Sequence, residues 1–304
     1  MRITKIGGQA VIEGIMMRGN DMYSLAVRNL EGEIIVEEKE LDKKFSTGFW
    51  KLPIIRGFVT FINSLVFGTK ILNRSMELSG LEEIEGEPSK FEIWLSNIFK
   101  DNFTKVITGF SFVLAMFISL GLFVYLPIFV TNLIVDYFGE GAWLRSLFEG
   151  IFRMIIFILY LYLISKSKDI QRVFMYHGAE HKTIACFEAE EELTVENARK
   201  HSRFHKRCGT SFLFLVMFIS IVFFMFVHTD VILYRFLYKV LLLPVLSGVS
   251  YEVLRFAGNH DNFFINLISY PGLKLQHLTT KEPDDMQLEV AIAAMKKVLE
   301  HQEI

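Results

Sequence analysis

The sequence has little cysteine and no excess of charge of either sign. Two cysteines in 304 residues cannot form a disulfide framework, which excludes a small disulfide-stabilised secreted domain. A formal net charge of −2 gives no general attraction to a phosphate backbone, so we expect no nucleic-acid partner. The N-terminal stretch Met1–Gln9 lacks the apolar run of a cleaved signal peptide. Both a secreted protein and a nucleic-acid-binding protein are therefore disfavoured.

Apolar side chains, in contrast, are abundant. They make up 52% of the residues, phenylalanine alone occurs 30 times, and the mean hydropathy is +0.36. A soluble domain does not need so many large apolar side chains, whereas helices in a lipid bilayer do. We therefore predict a mainly α integral membrane protein with four transmembrane helices, in residues 105–165 and 210–256. The predicted spans are Val106–Val135, Leu144–Ile164, Thr210–Val227 and Val231 to about Leu254.

The segments before the first span predict smaller structures. Residues 1–50 contain short β-like runs joined at Asn29–Gly32, which indicates a small β-containing domain with a hairpin. In residues 51–75 the segment Leu52–Leu72 is apolar but carries Arg56 and Lys70, so its longest uncharged stretch is Gly57–Thr69, too short to cross about 30 Å of hydrocarbon. We expect an interfacial or re-entrant helix there, followed by an acidic linker at 76–104.

The tail after the last span, residues 257–304, is polar. Tyr270–Gly272 contains Pro-Gly and predicts a turn. Pro283 is well suited to the first position of a helix, and the apolar spacing after it predicts a helix over Met286–Leu299. We expect this helix to pack one face on the other cytosolic parts of the chain.

Lysine and arginine predict the orientation in the membrane. The segment Ser165–Cys208 contains nine of them, whereas the short links Asp136–Trp143 and His228–Asp230 contain none. Basic segments stay on the cytoplasmic side, so we expect the helical motif segment at 166–209 to be cytosolic. Four spans then leave both termini cytoplasmic in a multi-pass protein of the cell membrane.

The main functional signal lies in this cytosolic segment. His177 to His181 has the form H-x-x-E-H, and on a helix its two histidines share one face, where they can bind one metal ion. Glu180 lies beside that face and could accept a proton from a water molecule held at the metal. Residues 177–208 contain four of the eight histidines and both cysteines. We therefore predict a metal site here, with zinc as the expected ion.

The sequence leaves the remaining ligands open. His205, Cys208, Glu196 and Glu252 are the candidates. His205 and Cys208 together would close a structural site of four ligands, whereas a site without Cys208 would stay open to water, as catalytic zinc sites are. His201 is a weaker candidate. On a helix it would share a face with His205, but it need not reach the metal.

Glu252 has two interpretations. It lies near the end of the fourth predicted span, where an ionisable residue is costly and is therefore a functional candidate. Arg255 lies three residues further on, on the same helical face. We favour an ion pair between them over metal ligation by Glu252.

Six stretches together form a specific set of motifs that covers nearly the whole chain. They are Gly7–Gly19, Tyr176–Lys182, His205–Phe212, Ser250–Glu252, Pro271–Leu273 and Gln276–Thr280. They resemble the YqhQ-like family, bacterial membrane proteins of unknown function that are labelled predicted metal-dependent enzymes. The family pattern differs at Lys206, His201 and His277, which lowers both histidines as ligands. The resemblance implies a metal but no substrate.

Two functions rank above a third, a small-solute transporter, which comes last because the predicted spans contain few charges and no broken-helix repeat is evident. The first is a metal-dependent, hydrolase- or protease-like enzyme at the cytoplasmic membrane surface, with Glu180 as general base. The second is a non-enzymatic membrane factor, accessory to protein insertion, translocation or envelope assembly. In that case the cytosolic parts would bind protein partners, and the metal would be structural or absent.

Overall fold

The computed structural model describes residues 6–41, 52–81, 103–138, 141–205, 208–227, 229–258 and 263–301. Within these ranges most residues are helical, and a small antiparallel sheet lies near the N-terminus, as predicted. The chain forms two compact units. One is drawn from Met1–Glu82, Leu161–Leu215 and Ser247–Ile304, and the other from Glu83–Tyr160 and Val216–Leu246.

The sheet is a four-stranded antiparallel meander in the order β1-β2-β3-β4. Its strands are β1 (Gly7–Val11), β2 (Gly14–Arg18), β3 (Met22–Arg28) and β4 (Ile34–Glu40). The predicted hairpin is confirmed as β3–β4, whose last pair places Arg28 opposite Ile34.

Ten α-helices follow in the described residues. They are α1 (Ile55–Ser79), α2 (Phe103–Leu120), α3 (Leu126–Phe138), α4 (Ala142–Ile164), α5 (Lys168–Glu188), α6 (Val195–Lys200), α7 (Gly209–Phe224), α8 (Ile232–Gly258), α9 (Phe263–Thr279) and α10 (Asp285–Leu299). A π-helical turn, Gly121–Tyr125, joins α2 to α3 without a break.

Four helices among the described residues are long and apolar enough to cross a membrane, as many as predicted. They lie at Ile55–Ser79, Val106–Ile134, Trp143–Ile164 and Ile232–Phe256. Two of the helices differ from those predicted to span the membrane. The segment expected to be interfacial forms a helix of 25 residues, α1, whereas the expected third span, Thr210–Val227, contains α7, of only 16 residues.

The first unit buries both faces of the sheet. Ile15 and Met17 of β2 point into a core shared with α5 and α10, whereas Met16, between them, points to the opposite side. There it packs in a second core with Ile71 of α1. This alternation is the normal consequence of the two-residue period of a strand.

The helix expected in the tail is confirmed as α10. Asp284 caps it, and its side chain and that of Gln287 form a capping box, so Pro283 precedes the cap and does not occupy the first helical position. Leu288, Ala291 and Met295 are fully buried against the sheet and α5.

Three other local predictions are wrong or lie mostly outside the described residues. Tyr270–Gly272 lies inside α9, so the predicted turn is wrong there. Helix α6 ends at Lys200, so His201 and His205 do not share a helical face. Most of the predicted acidic linker, residues 82–102, lies outside the described ranges, and its first part belongs to α1.

The second unit buries a group of charged side chains. The Glu149 carboxylate accepts hydrogen bonds from Arg235, whose Nη1 is 3.0 Å from Oε1, and from the Lys239 ammonium. All three side chains are at most 2% exposed. Arg153, four residues after Glu149, is also buried and donates a hydrogen bond to the Ser220 hydroxyl at 2.7 Å.

Candidate metal centre

Helix α5 carries the H-x-x-E-H motif on its buried part. The imidazoles of His177 and His181 lie one turn apart with ring centroids separated by 4.4 Å. Cys208 reaches the same place from just before α7. One ligand atom from each of these three residues lies within 4.8 Å of the other two. The fold thus brings together three of the six side chains considered as metal ligands: His177, His181 and Cys208.

The ring nitrogens that face away from this group are anchored to the backbone. His177 Nδ1 is 2.8 Å from the carbonyl oxygen of Thr279, and His181 Nδ1 is 2.6 Å from that of Arg203. A carbonyl oxygen only accepts, so each Nδ1 carries the proton and each Nε2 keeps its lone pair. Metal-binding histidines in proteins are held in this way.

The sulfur of Cys208 is held from both sides. It lies 3.2 Å from Nε2 of His177 and 3.2 Å from the hydroxyl of Thr210. The backbone N–H of Thr210, in the first turn of α7, also donates to it at 3.5 Å. These contacts fix the sulfur next to the two imidazoles.

The segment after α9 closes over the motif helix. A Cβ at Gly178 would lie 2.1 Å from the carbonyl oxygen of Lys281, so only glycine permits this close approach. At the end of α9 the buried side chain of Gln276 donates to the His205 carbonyl and accepts from the His205 N–H, both at 2.9 Å. Gln276 thereby positions the loop that leads to Cys208.

His205 does not join the group. Its ring centroid is 5.6 Å from that of His181, and its Nε2 lies 3.4 Å from a carboxylate oxygen of Glu188. His205 contributes to the loop before Cys208 through its backbone, which is hydrogen-bonded to Gln276, and not through its imidazole. Glu196, the other sequence candidate of this region, is exposed in the first turn of α6.

Glu180 lies beside His177 but faces the sheet. Its carboxylate accepts a hydrogen bond from the backbone N–H of Gly8 in β1, and the residue is 6% exposed. Burial raises the pKa of the Glu180 carboxyl above its usual range, while His177 and the Gly8 N–H oppose that rise. A Cβ at Gly8 would lie 2.7 Å from Cδ of Glu180, so this approach also requires glycine.

Glu252 binds an arginine other than the one predicted. Arg56 of α1 donates to both carboxylate oxygens of Glu252, at 2.7 Å each from Nη2. The expected pair with Arg255 is therefore wrong in its partner, although Glu252 does form an ion pair. Its carboxylate is not part of the group formed by His177, His181 and Cys208.

Sequence reasoning missed the residues that hold the group in place. Gln276, Thr279 and Thr210 belong to stretches recognised as family motifs, but no role follows from their local pattern. The same holds for Gly8, which lies at the start of the Gly7–Gly19 motif. A signal was present in these motifs, since Gly8 and Thr279 contact the H-x-x-E-H helix and Thr210 contacts Cys208.

The donor set fits a zinc-class ion. Two imidazole nitrogens and one thiolate are ligands that zinc prefers, and the Nδ1 anchors leave the correct nitrogens available. Three protein ligands leave one position of a tetrahedral site for a water molecule or a substrate.

Comparison with known proteins gives two matches. Residues 52–301 match the family described as a protein of unknown function, DUF1385. The chain is also 37% identical over 297 residues to the uncharacterized protein YqhQ of Bacillus subtilis (strain 168), an alignment that covers 96% of this chain and 92% of that protein. No solved structure matches significantly.

Proposed function

This chain belongs to the DUF1385 family of proteins of unknown function, which confirms the resemblance to YqhQ-like proteins, and we propose for it a metal-dependent hydrolytic activity. The metal would be held by His177, His181 and Cys208 at the cytoplasmic surface of the membrane. The substrate would be a peptide bond or another hydrolysable bond close to the bilayer.

One observation carries this proposal. Both imidazoles donate Nδ1–H to backbone carbonyls and keep Nε2 free, and Nε2 of His177 lies against the sulfur of Cys208. A pair of histidines that only packed in a core or bound carboxylates would not need a thiol at this point. This arrangement supports a metal site with three protein ligands.

Glu180 is the residue that would handle the proton. A zinc-class ion in the site would polarise a water molecule or a substrate carbonyl. Glu180 follows His177 by three residues on α5, and burial raises the pKa of its carboxyl, so its carboxylate is a stronger base than that of an exposed glutamate. The hydrogen bond from Gly8 keeps the carboxylate in place.

Connectivity supports a site beside the membrane. The sheet, α5 and α10 share one hydrophobic core and so lie on the same side of the bilayer. The chain must therefore cross an even number of times between β4 and α5. Three candidate spans lie in the described part of that interval, so, if these are the spans between β4 and α5, at least one of them does not cross.

Helix α1 is the candidate that fits the surface position. Gly68, Ile71 and Ser75 are buried, and Arg74 pairs with Glu37 of β4, so this half of α1 packs on the sheet and not on lipid. Apolar side chains earlier in α1 are exposed, as an interfacial helix requires. By the same parity, α8 needs one further crossing between α5 and α10, and we assign it to α7, of 16 residues, because the end of α9 contacts His177 of α5.

Labelling of single cysteines tests this topology. Glu31→Cys and Glu192→Cys place thiols on exposed sites of the first unit, and Asp230→Cys places one in the short link before α8. A membrane-impermeant maleimide should label Asp230→Cys in intact cells and the other two only in inverted vesicles. Labelling of Glu31→Cys and Glu192→Cys from opposite sides would contradict the proposal. The native cysteines are buried, so the background is low.

Two experiments test the hydrolytic function. In the protein loaded with Co²⁺, acetohydroxamate should change the visible spectrum of the wild type and of Glu180→Gln, because one coordination position is open. In addition, membranes of cells that produce the wild type should contain new protein N-termini that are missing with Glu180→Gln, at equal metal content. Identical sets of N-termini would contradict the hydrolase.

A non-enzymatic factor with a structural metal is the second candidate. The observation that favours it is the cover over Glu180, since β1 lies directly on the carboxylate. In that case the Co²⁺ spectrum would not respond to acetohydroxamate, because the coordination would be closed.

A further inference from the structure

A second group of metal-ligand side chains lies at the other end of α5. One ligand atom each from Cys186, Glu191 and His201 lies within 4.8 Å of the other two. Cys186 is fully buried in the last turn of α5, and His201 directly follows α6. No residue of this group belongs to the site of His177, His181 and Cys208.

The chain reverses sharply to form this group. Glu190 has a positive φ of 62°, which is uncommon for a residue with a side chain, and the N–H of Glu191 donates to the carbonyl of Cys186 at 3.2 Å. The turn thereby returns Glu191 towards the cysteine. Thr194 then caps α6, whose six residues carry the chain to His201.

The imidazole of His201 lacks a hydrogen bond at Nε2. This atom is shielded from solvent, and it is 3.3 Å from a carboxylate oxygen of Glu191, but its direction is not that of a hydrogen bond. A buried ring nitrogen without a partner is costly, and such atoms in folded proteins usually have a ligand, a water molecule or an ion. The thiol of Cys186 donates one hydrogen bond, of 3.6 Å, to the carbonyl oxygen of Glu192.

The position of Cys186 makes it a ligand candidate and not a reactive thiol. Its side chain is fully buried, and a buried structural cysteine is inert. An ion bound at the sulfur would displace the thiol proton and place a positive charge beside the Glu191 carboxylate.

We propose that Cys186, Glu191 and His201 bind a second ion of the zinc class. Sulfur, imidazole nitrogen and carboxylate oxygen are the three ligand types that zinc accepts together. The ion would join the end of α5, the reversing turn and the end of α6. Since His201 begins the loop that leads to Cys208, it would also anchor that loop from its start, as Gln276 does near its end.

The test is the zinc content of purified full-length protein, measured together with the Co²⁺ spectrum. Cys186→Ser and His201→Asn should each lose one equivalent of metal relative to the wild type, and Cys186→Ser should also lose part of the thiolate-to-Co²⁺ absorption. Glu192→Gln is the matched control, because this exposed neighbour should keep the full content. His201→Asn removes no hydrogen bond at Nε2, so it should remain folded even if the buried Cys186→Ser does not.

The outcome separates this site from the first one. His181→Ala should lose one equivalent independently, and its combination with His201→Asn should lose both. If His201→Asn and Cys186→Ser keep the content of the wild type, the second site is refuted. Loss only in His181→Ala would support the first site alone, and loss only in the Cys186 and His201 variants would support the second alone.

Discussion

The backbone N–H of Gly8 donates a hydrogen bond to the carboxylate of Glu180, and a Cβ at Gly8 would lie 2.7 Å from Cδ of that residue. The N-terminal glycine motif and the H-x-x-E-H motif are therefore in direct contact. This explains why a β-strand with little side-chain bulk lies on the functional helix. Strand β1 therefore packs directly on the motif helix.

Replacement of Gly8 by alanine should destabilise the first unit. The added methyl group overlaps the carboxylate, and overpacking of this kind typically costs about 1–3 kcal/mol. Thermal unfolding of the detergent-solubilised protein, followed by circular dichroism, measures the effect. Gly7→Ala is the matched control, because nothing lies within 4 Å of a Cβ at Gly7. Equal stability of the two variants would contradict the contact between Gly8 and Glu180.

Gln276→Ala should weaken metal binding at the first site without removing a ligand. It deletes both hydrogen bonds that fix the backbone of His205, so the loop to Cys208 loosens. Loss of a residue that orients a ligand typically lowers metal affinity about 10–100-fold. Competition with a chromophoric zinc chelator measures this affinity. Lys274→Ala, an exposed change on the same helix, should leave the affinity unaltered.

Glu149→Gln should strongly destabilise the second unit. It leaves the buried Arg235 and Lys239 without their carboxylate, and an uncompensated buried charge typically costs about 3–5 kcal/mol. Asp230→Asn breaks an exposed pair with Arg145 and should cost about 1 kcal/mol or less. Unfolding in detergent with increasing denaturant compares the two. Adding Lys239→Met to Glu149→Gln should restore part of the stability, and a failure to do so would contradict a charge-based cause.

The ion pair between Glu37 and Arg74 should make the packing of α1 on the sheet pH-dependent. The hydrogen bond from Arg74 holds the pKa of Glu37 below its usual range. Because the folded-state pKa is lowered, the stabilisation is fully present above the unfolded-state pKa and is lost as the pH falls through the folded-state value. The difference in free energy of unfolding between wild type and Glu37→Gln, about 1 kcal/mol or less, should thus be present at neutral pH and vanish in acid. A difference that persists in acid, or survives in an Arg74→Gln background, would refute this origin.

Local patterns in the sequence predict the elements whose signals are local. The β3–β4 hairpin, the motif helix and α10 lie where turn residues and helical spacing indicate them, although the cap of α10 is Asp284, one residue after the proline expected at its first position. The shared placement of His177 and His181 follows from the period of a helix alone.

Long-range contacts determine what local patterns miss. Glu252 is paired with Arg56, 196 residues away, so a search among neighbours on the same helix finds Arg255 instead. Gln276 and His205 are 71 residues apart. Helix α9 continues through Pro271 and Gly272 because its end packs beside the motif helix, which overrides the turn propensity of these residues.

The metal content of purified full-length protein tests the central claim most directly. Elemental analysis should find a zinc-class ion in the wild type, one equivalent less in His181→Ala, and the full content in His277→Ala, whose histidine is exposed and outside the site. A wild-type protein without stoichiometric transition metal, or a His181→Ala variant that retains all of it, would contradict the account.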